Sequence, residues 1–212
     1  NSPTYLDSEN IEYPQNEREV SNYIKKNYKS NTPIELIGSG SKRKMGRMLQ
    51  CGTTLSISKL NGIVEYFPEE LYIKVKAATP IKYIEDELNK KNQQLAFEPI
   101  DFGNFLNGKS DYGTAAGQVA CNISGSRRFK VGSVRDHVLG FRGVNGRGEI
   151  IKSGGVVVKN VTGYDLSKLI CGSYGTLVAL TEITFKVLPK PEESKTLIIH
   201  NQKIETAVHF LD

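Results

Sequence analysis

PIELIGSGSK, residues 33–42, and GTAAGQVACNISG, residues 113–125, are the stretches whose reading decides the fold. In the first, Pro33 starts a short apolar strand, Ile34 to Ile37, that runs straight into Gly38-Ser39-Gly40-Ser41-Lys42. Glycines let successive N–H groups converge on an anion, and Ser39, Ser41 and Lys42 add side-chain donors, so this loop is a candidate phosphate cradle. It is not a Walker motif, because the GxxxxGK[ST] spacing is missing. Nor is it a GxGxxG fingerprint, because Arg43 holds the third glycine position. The plain alternative is a surface turn. The second stretch is a run of small residues with helical potential, able to bring its backbone close to something flat or bulky.

Around the second stretch, Gly113-Thr114, Ala116-Gly117, Asn122 and Gly125 are followed by Arg127, Arg128, Gly132, Ser133, Arg135 and Asp136. So many small and polar residues suit the wall of an extended ligand better than a core, with the arginines placed to neutralise phosphate. A flexible loop is the alternative. A third cluster, Lys159-Asn160-Val161-Thr162-Gly163-Tyr164-Asp165, puts a cation, an amide and a phenol within one turn, or else is simply a helix capped by Asp165.

Working outward, 212 residues of ordinary globular composition suffice for one large domain or two small ones. Fifteen of the 20 glycines fall between Gly103 and Gly175, so the second half must be dense in tight turns. The first half is more regular. Asn16 caps a helix with Glu19 as its box partner, and Val20, Ile24 and Tyr28 recur on one face. Strands are expected at 55–58, 63–67 and 71–77. In the last, Ile73, Val75 and Ala77 face inward while Tyr72, Lys74 and Lys76 stay wet. Thr79-Pro80 reads as a cap and first helical residue before the stripe Ile81, Ile84, Leu88. Further on, strands 138–144 and 149–152 are joined by the hairpin Asn145-Gly146-Arg147-Gly148, a short helix covers 165–170, and 176–188 alternates as a strand. Pro189 and Pro191 end the domain; a strand at 196–199 and a helix at 205–211 belong to something else.

Charge and residue usage exclude several chemistries. Lysine and arginine total 28 against 23 acids, a net +5 that favours an anionic partner. Nucleic acid is disfavoured: the basic clusters at 42–47 and 127–130 sit in glycine-rich segments with few aromatics nearby. Apolar runs are far short of a membrane span, so no direct membrane insertion is expected. Cys51, Cys121 and Cys171 form no CxxC or Cys/His pairing, which gives no metal site, and Cys121 and Cys171 read as buried filler. His137, His200 and His209 lie near no serine elbow or HExxH pattern and read as structural or surface residues. A cofactor must bring any chemistry.

The strings GSGSKRKMGR (38–47), FEPIDFG (97–103), GTAAGQVACNISGSRR (113–128), GSVRDHVLGFRGVNGRGE (132–149) and above all VVVKNVTGYDLSKLICGSYGTLVALTEITFKVLP (156–189) resemble the FAD-binding subunits of bacterial glycolate oxidases. More broadly, the chain is similar to the vanillyl-alcohol oxidase, or PCMH-type, FAD-binding domains, also found in D-lactate and 2-hydroxyglutarate dehydrogenases. The resemblance implies an α+β fold of two lobes, 1–95 and 96–190, with FAD extended between them, and a cap domain cut off soon after it begins, at 191–212. The chain has no initial methionine and is expected to be a piece of a longer protein.

By the same resemblance the diphosphate sits on Gly38 to Lys42 and on Gly113-Thr114. Gly117, Asn122 and Gly125 line the flavin and diphosphate wall, and Gly46, Pro99 and Arg127 join the cofactor set. Ser133, Asp136 and Val138 touch ribityl, ribose or adenine, and Lys159, Asn160 and Tyr164 lie near the isoalloxazine edge. Two departures stand out: the usual GTLG string reads Gly175-Thr176-Leu177-Val178, and no histidine in the first glycine loop could attach flavin covalently. The implied activity is FAD-dependent oxidation of a small 2-hydroxy acid by hydride transfer, with electrons passing to a larger flavoprotein and an iron–sulfur subunit. Its setting is cytoplasmic, with any contact to the inner membrane made through those partners. A non-catalytic flavin-holding or scaffold subunit is the alternative, with a basic nucleic-acid-binding module behind it. Without a complete cap, FAD binding with little isolated turnover is expected, and no catalytic base is assigned.

Overall fold

A computed structural model describes residues 10–43, 45, 49, 51–108, 113–155, 164–196, 198, 200–201 and 203–209. Near the N-terminus, β1 (Ile11–Glu12) leads into α1 (Glu17–Lys29), where the Asn16 side chain accepts from the Glu19 amide at 3.0 Å. Val20 and Ile24 are buried, but Tyr28 is exposed. Each four-residue step overshoots a 3.6-residue turn, so after two steps Tyr28 has drifted about 80° off the face; Asn27 is buried instead. β2 (Ile34–Ile37) and β3 (Thr53–Ser56) complete a small parallel sheet in the order β1-β3-β2, which leaves β2 at an edge.

The larger sheet is antiparallel. It orders β4 (Ile63–Phe67), β5 (Tyr72–Lys76), β9 (Val178–Lys186), β7 (Val138–Asn145) and β8 (Ile150–Gly154) as β4-β5-β9-β7-β8, and a two-stranded ribbon pairs β6 (Gln93–Gln94) with β10 (Leu188–Pro189). β5 pairs along its whole length with β9, Tyr72 opposite Lys186 and Lys76 opposite Glu182. The sheet therefore draws strands from both sides of residue 95. Tyr72, expected on the wet face, is buried because its ring packs on Phe67 across the turn at 68–70, with centroids 5.4 Å apart.

The helices cover these sheets. α2 (Ile81–Asn89) buries Ile81, Ile84 and Leu88 as the stripe predicts. Thr79 does not cap it; its hydroxyl donates to the Lys76 carbonyl at 2.7 Å and ties down the turn before the helix. Short helices follow: α3 (Gly103–Asn107), α4 (Ala115–Cys121), α5 (Arg128–Val131), α6 (Val134–His137), α7 (Leu166–Ile170) and α8 (Ile204–His209). Asp165 precedes α7 without a side-chain cap bond. Of the strand expected at 196–199, Thr196 and Ile198 are in no strand and the other two residues lie outside the described ones. No helix of the described residues is long and apolar enough to cross a membrane.

One continuous core joins both sheets: Val20 and Ile24 from α1, Leu55 from β3, Ile73 and Val75 from β5, Val119 from α4 and Ile183 and Phe185 from β9. Burying each such side chain contributes about 1.5–3 kcal/mol. Polar ties add orientation. Glu17 at the start of α1 accepts from Arg142 of β7 at 2.5 Å and from Thr181 of β9 at 2.6 Å, and Ser21 donates to the Gly148 carbonyl of the β7–β8 hairpin at 2.6 Å. The free edge of β2 is thereby held beside the start of β9, with a gap between them.

Candidate functional site

That gap is a cleft of about 420 Å³, within the usual range for small-molecule sites. Its walls are β2, the loop 38–43, one face of α4, the turn 174–176 and the start of β9. All of Gly38, Ser39, Gly40, Ser41 and Lys42 line it, and so do Thr114 and Gly117 from the second glycine stretch.

The two stretches touch. A Cβ added to Gly38 would stand 2.9 Å from Thr114 Oγ1, and one added to Gly117 would stand 3.1 Å from Thr114 Oγ1 and 3.3 Å from Lys42 Nζ. Thr114 caps α4, accepting from the Gly117 amide at 3.2 Å. Residues 113–116 are fixed in turn by backbone bonds to 77–81, including Ala116 N to Ala77 O at 2.8 Å and Ile81 N to Gly113 O at 3.0 Å. On the other wall, Arg43 grips Glu35 of β2 with two bonds, 2.8 and 2.6 Å, and Thr54 of β3 donates to the same carboxylate at 3.0 Å. Arg43, read as part of a basic cluster, thus anchors the loop to its own sheet.

Lys42 brings a cation to the cleft. Burial pushes its pKa below the ordinary lysine value, opposed by Cys121 and Asp101. Burial also pushes the Cys121 thiol up, against the pull of Lys42. A half-desolvated ammonium beside a glycine cradle is matched to an anionic ligand, because an opposite charge brought there interacts in a low dielectric. Cys121, expected to be filler, instead lines the cleft. It follows Gly117 by four residues, so both share one helix face, and that spacing was the clue available in the sequence.

The remaining wall is a glycine turn. Gly172 N bonds Val119 O at 3.0 Å and Tyr174 N bonds Ala120 O at 2.8 Å, fastening the turn to the end of α4. A Cβ on Gly175 would meet Leu36 at 3.1 Å. An adjoining cavity of about 390 Å³ shares Leu36, Gly175 and Thr176 with the cleft. Val178, where a glycine is usual, lies at the start of β9 against Gly143, whose added Cβ would stand 2.5 Å from Val178 Cγ1; the missing side chain on β7 accommodates the extra one on β9.

The other predicted residues that are described do not line this cleft. Gly113 is buried behind the cleft near Gln118 and Asp101, and Pro99 is half-buried in the preceding segment. Asn122 ends α4 in the left-handed region and its side chain accepts from the Arg135 amide at 3.2 Å. Gly125 lies under Glu98, whose Cβ would be 2.5 Å from an added Cβ, and Glu98 also accepts from the Arg127 amide at 2.8 Å. Ser133 and Asp136, expected at the cofactor, form a capping box: the Asp136 carboxylate accepts from Ser133 N at 2.8 Å and Oγ at 2.9 Å, and these bonds hold its pKa below the usual value. Val138, the third of that group, has its side chain in the core. Tyr164 is 95% exposed, and Gly46, Lys159 and Asn160 lie outside the described residues. His137 is buried with Nε2 2.9 Å from the Val131 carbonyl, in keeping with a structural role.

Sequence comparison matches residues 9–154 to the family described as FAD binding domain. The chain is 46% identical over 166 residues to glycolate oxidase subunit GlcE of Escherichia coli, covering 78% of this chain and 45% of that protein. It is 33% identical over 195 residues to glycolate oxidase subunit GlcD of Bacillus subtilis, covering 92% and 40%. The chain therefore spans less than half the length of these relatives. Among solved structures, alkyldihydroxyacetonephosphate synthase superposes with a TM-score of 0.67 at 21% identity, covering 86% of this chain and 32% of that one, a likeness of fold.

Proposed function

This chain belongs to the FAD binding domain family, and on that premise we propose that it is the cofactor-holding part of a glycolate-oxidase-type 2-hydroxy-acid dehydrogenase subunit. One observation carries the reading: the two glycine stretches meet in a single cleft, Gly38 against Thr114 and Lys42 over Gly117. The cradle fits a dinucleotide flavin because side chains are missing where a diphosphate must approach backbone, and because a half-buried ammonium stands beside it.

The amides of 38–42 and the Lys42 ammonium hold the diphosphate, with Thr114 and Gly117 as the facing wall. Ile57, Val178 and Leu180 supply an apolar floor that excludes water and strengthens the charge pairing. Lys159, Asn160 and Tyr164 belong in this reading to the flavin edge, where a cation or donor stabilises negative charge. FAD bound there supplies an acceptor for a hydride from the α-carbon of a small 2-hydroxy acid. The names of the relatives as oxidase subunits support a place in a multi-subunit assembly. The partners we assign are a larger flavoprotein and an iron–sulfur subunit, on the cytoplasmic side, with membrane contact only through them.

Titrating the purified full chain with FAD tests the binding step: a micromolar complex with a perturbed visible flavin band is expected, and a chain that takes up no FAD overturns the reading. Glycolate or D-lactate added anaerobically to the assembled oxidase should bleach that band. Failure of both removes the 2-hydroxy-acid assignment.

A further inference from the structure

Among the described residues, seven that are not glycine adopt positive φ, and four of them are asparagine, the residue best able to do so: Asn31, Asn92, Asn122 and Asn201. The other three need a reason. Leu71 packs against the hydrophobic core, and Glu98 accepts from the Arg127 amide. Tyr174, at φ 52°, has no such partner: among the described residues its phenol makes no hydrogen bond and its ring stacks on no other, and it is 65% exposed. Its neighbours Gly172 and Gly175 reach φ 83° and 75° with glycine, so the same turn uses the easier residue at two left-handed positions and a bulky aromatic at the third.

Tyr174 also lines the cleft, and its amide bond to the Ala120 carbonyl pins the turn to α4, the adjoining wall. A strained backbone that keeps a large exposed side chain at a cavity mouth is the pattern of a ligand contact. We propose that Tyr174 is a cofactor-binding residue whose ring stacks on an aromatic ring system of the flavin nucleotide held in this cleft. The inference rests on the FAD reading and adds to it a contact outside the two glycine stretches.

The test compares the full chain with Tyr174→Gly, Tyr174→Asn and Tyr174→Phe by FAD titration, flavin fluorescence and thermal melting without cofactor. Glycine and asparagine suit the left-handed turn, so both variants should melt within roughly 3 °C of the parent or above it. Both should bind FAD roughly ten- to hundredfold more weakly, the range for loss of one aromatic–base stack, while Phe keeps parental affinity. Brighter bound-flavin fluorescence in the Gly and Asn variants places the ring on the isoalloxazine; weaker binding with unchanged fluorescence places it on the adenine. A parent that binds FAD and a Gly or Asn variant that binds equally well with equal fluorescence overturns this inference alone. A parent that binds no FAD overturns the underlying reading.

Discussion

In the loop after β2, every residue from Gly38 to Lys42 lines the cleft. In the segment after α4, which is just as rich in glycine, serine and arginine, polar groups bond to one another, Asn122 to Arg135, Ser124 to Val134 and Asp136 to Ser133, while Arg127 bonds back to Glu98 before α3. The two stretches look alike in composition and differ in what they border. A loop that lines a cavity can receive an anion. A segment braced by its own side-chain bonds has its backbone held still.

The largest effect should come from Gly117→Val, which puts a branched side chain where a single Cβ already stands 3.1 Å from Thr114 Oγ1 and 3.3 Å from Lys42 Nζ. FAD affinity should fall roughly hundredfold by calorimetry, and crowding against Thr114 should lower the stability of the cofactor-free chain by about 1–3 kcal/mol. Unchanged affinity would mean that the cradle is not where the cofactor sits.

Lys42→Met comes next, weakening FAD binding roughly tenfold or more, the value of a charge-assisted bond, while the cofactor-free chain melts no lower because a buried ammonium has gone. The pH dependence has a definite sign. Burial places the folded-state pKa of Lys42 below 10.5, so between the two values the unfolded chain holds more protons and stability without cofactor rises with pH. FAD affinity should fall over that interval, since the diphosphate favours the ammonium. The Met variant should lose both slopes.

Ser133→Ala should act on the supporting segment alone. Loss of the capping box lowers stability by about 1 kcal/mol in denaturant titration, with FAD affinity changed by less than about twofold. A larger drop in affinity would show that this segment also contacts the ligand, and the contrast between the two stretches would blur.

Much of this was legible locally. The α1 cap at Asn16, the stripe on α2, the strand Ile34–Ile37 and the hairpin at 145–148 follow from side-chain periodicity and turn chemistry, which act over a few residues. Tyr28 and Tyr72 depart from the periodic pattern because their burial depends on helix drift and on a neighbouring ring. For Cys121 the spacing to Gly117 is visible in the sequence, whereas its neighbour Lys42 is brought near only by the fold. Ser133 and Asp136 form a helix cap, one of the uses that a serine and an acid three residues apart can have.

The amino-acid order alone determined that two glycine-dense loops exist, that each adjoins a regular element, and that an anion suits them. Tertiary structure decided that they face each other, since that depends on β5 pairing with β9 across a hundred residues and on residues 77–81 bonding to 113–116. Local propensities act between neighbours in sequence, whereas a cleft is made by whichever distant backbones find each other's hydrogen bonds.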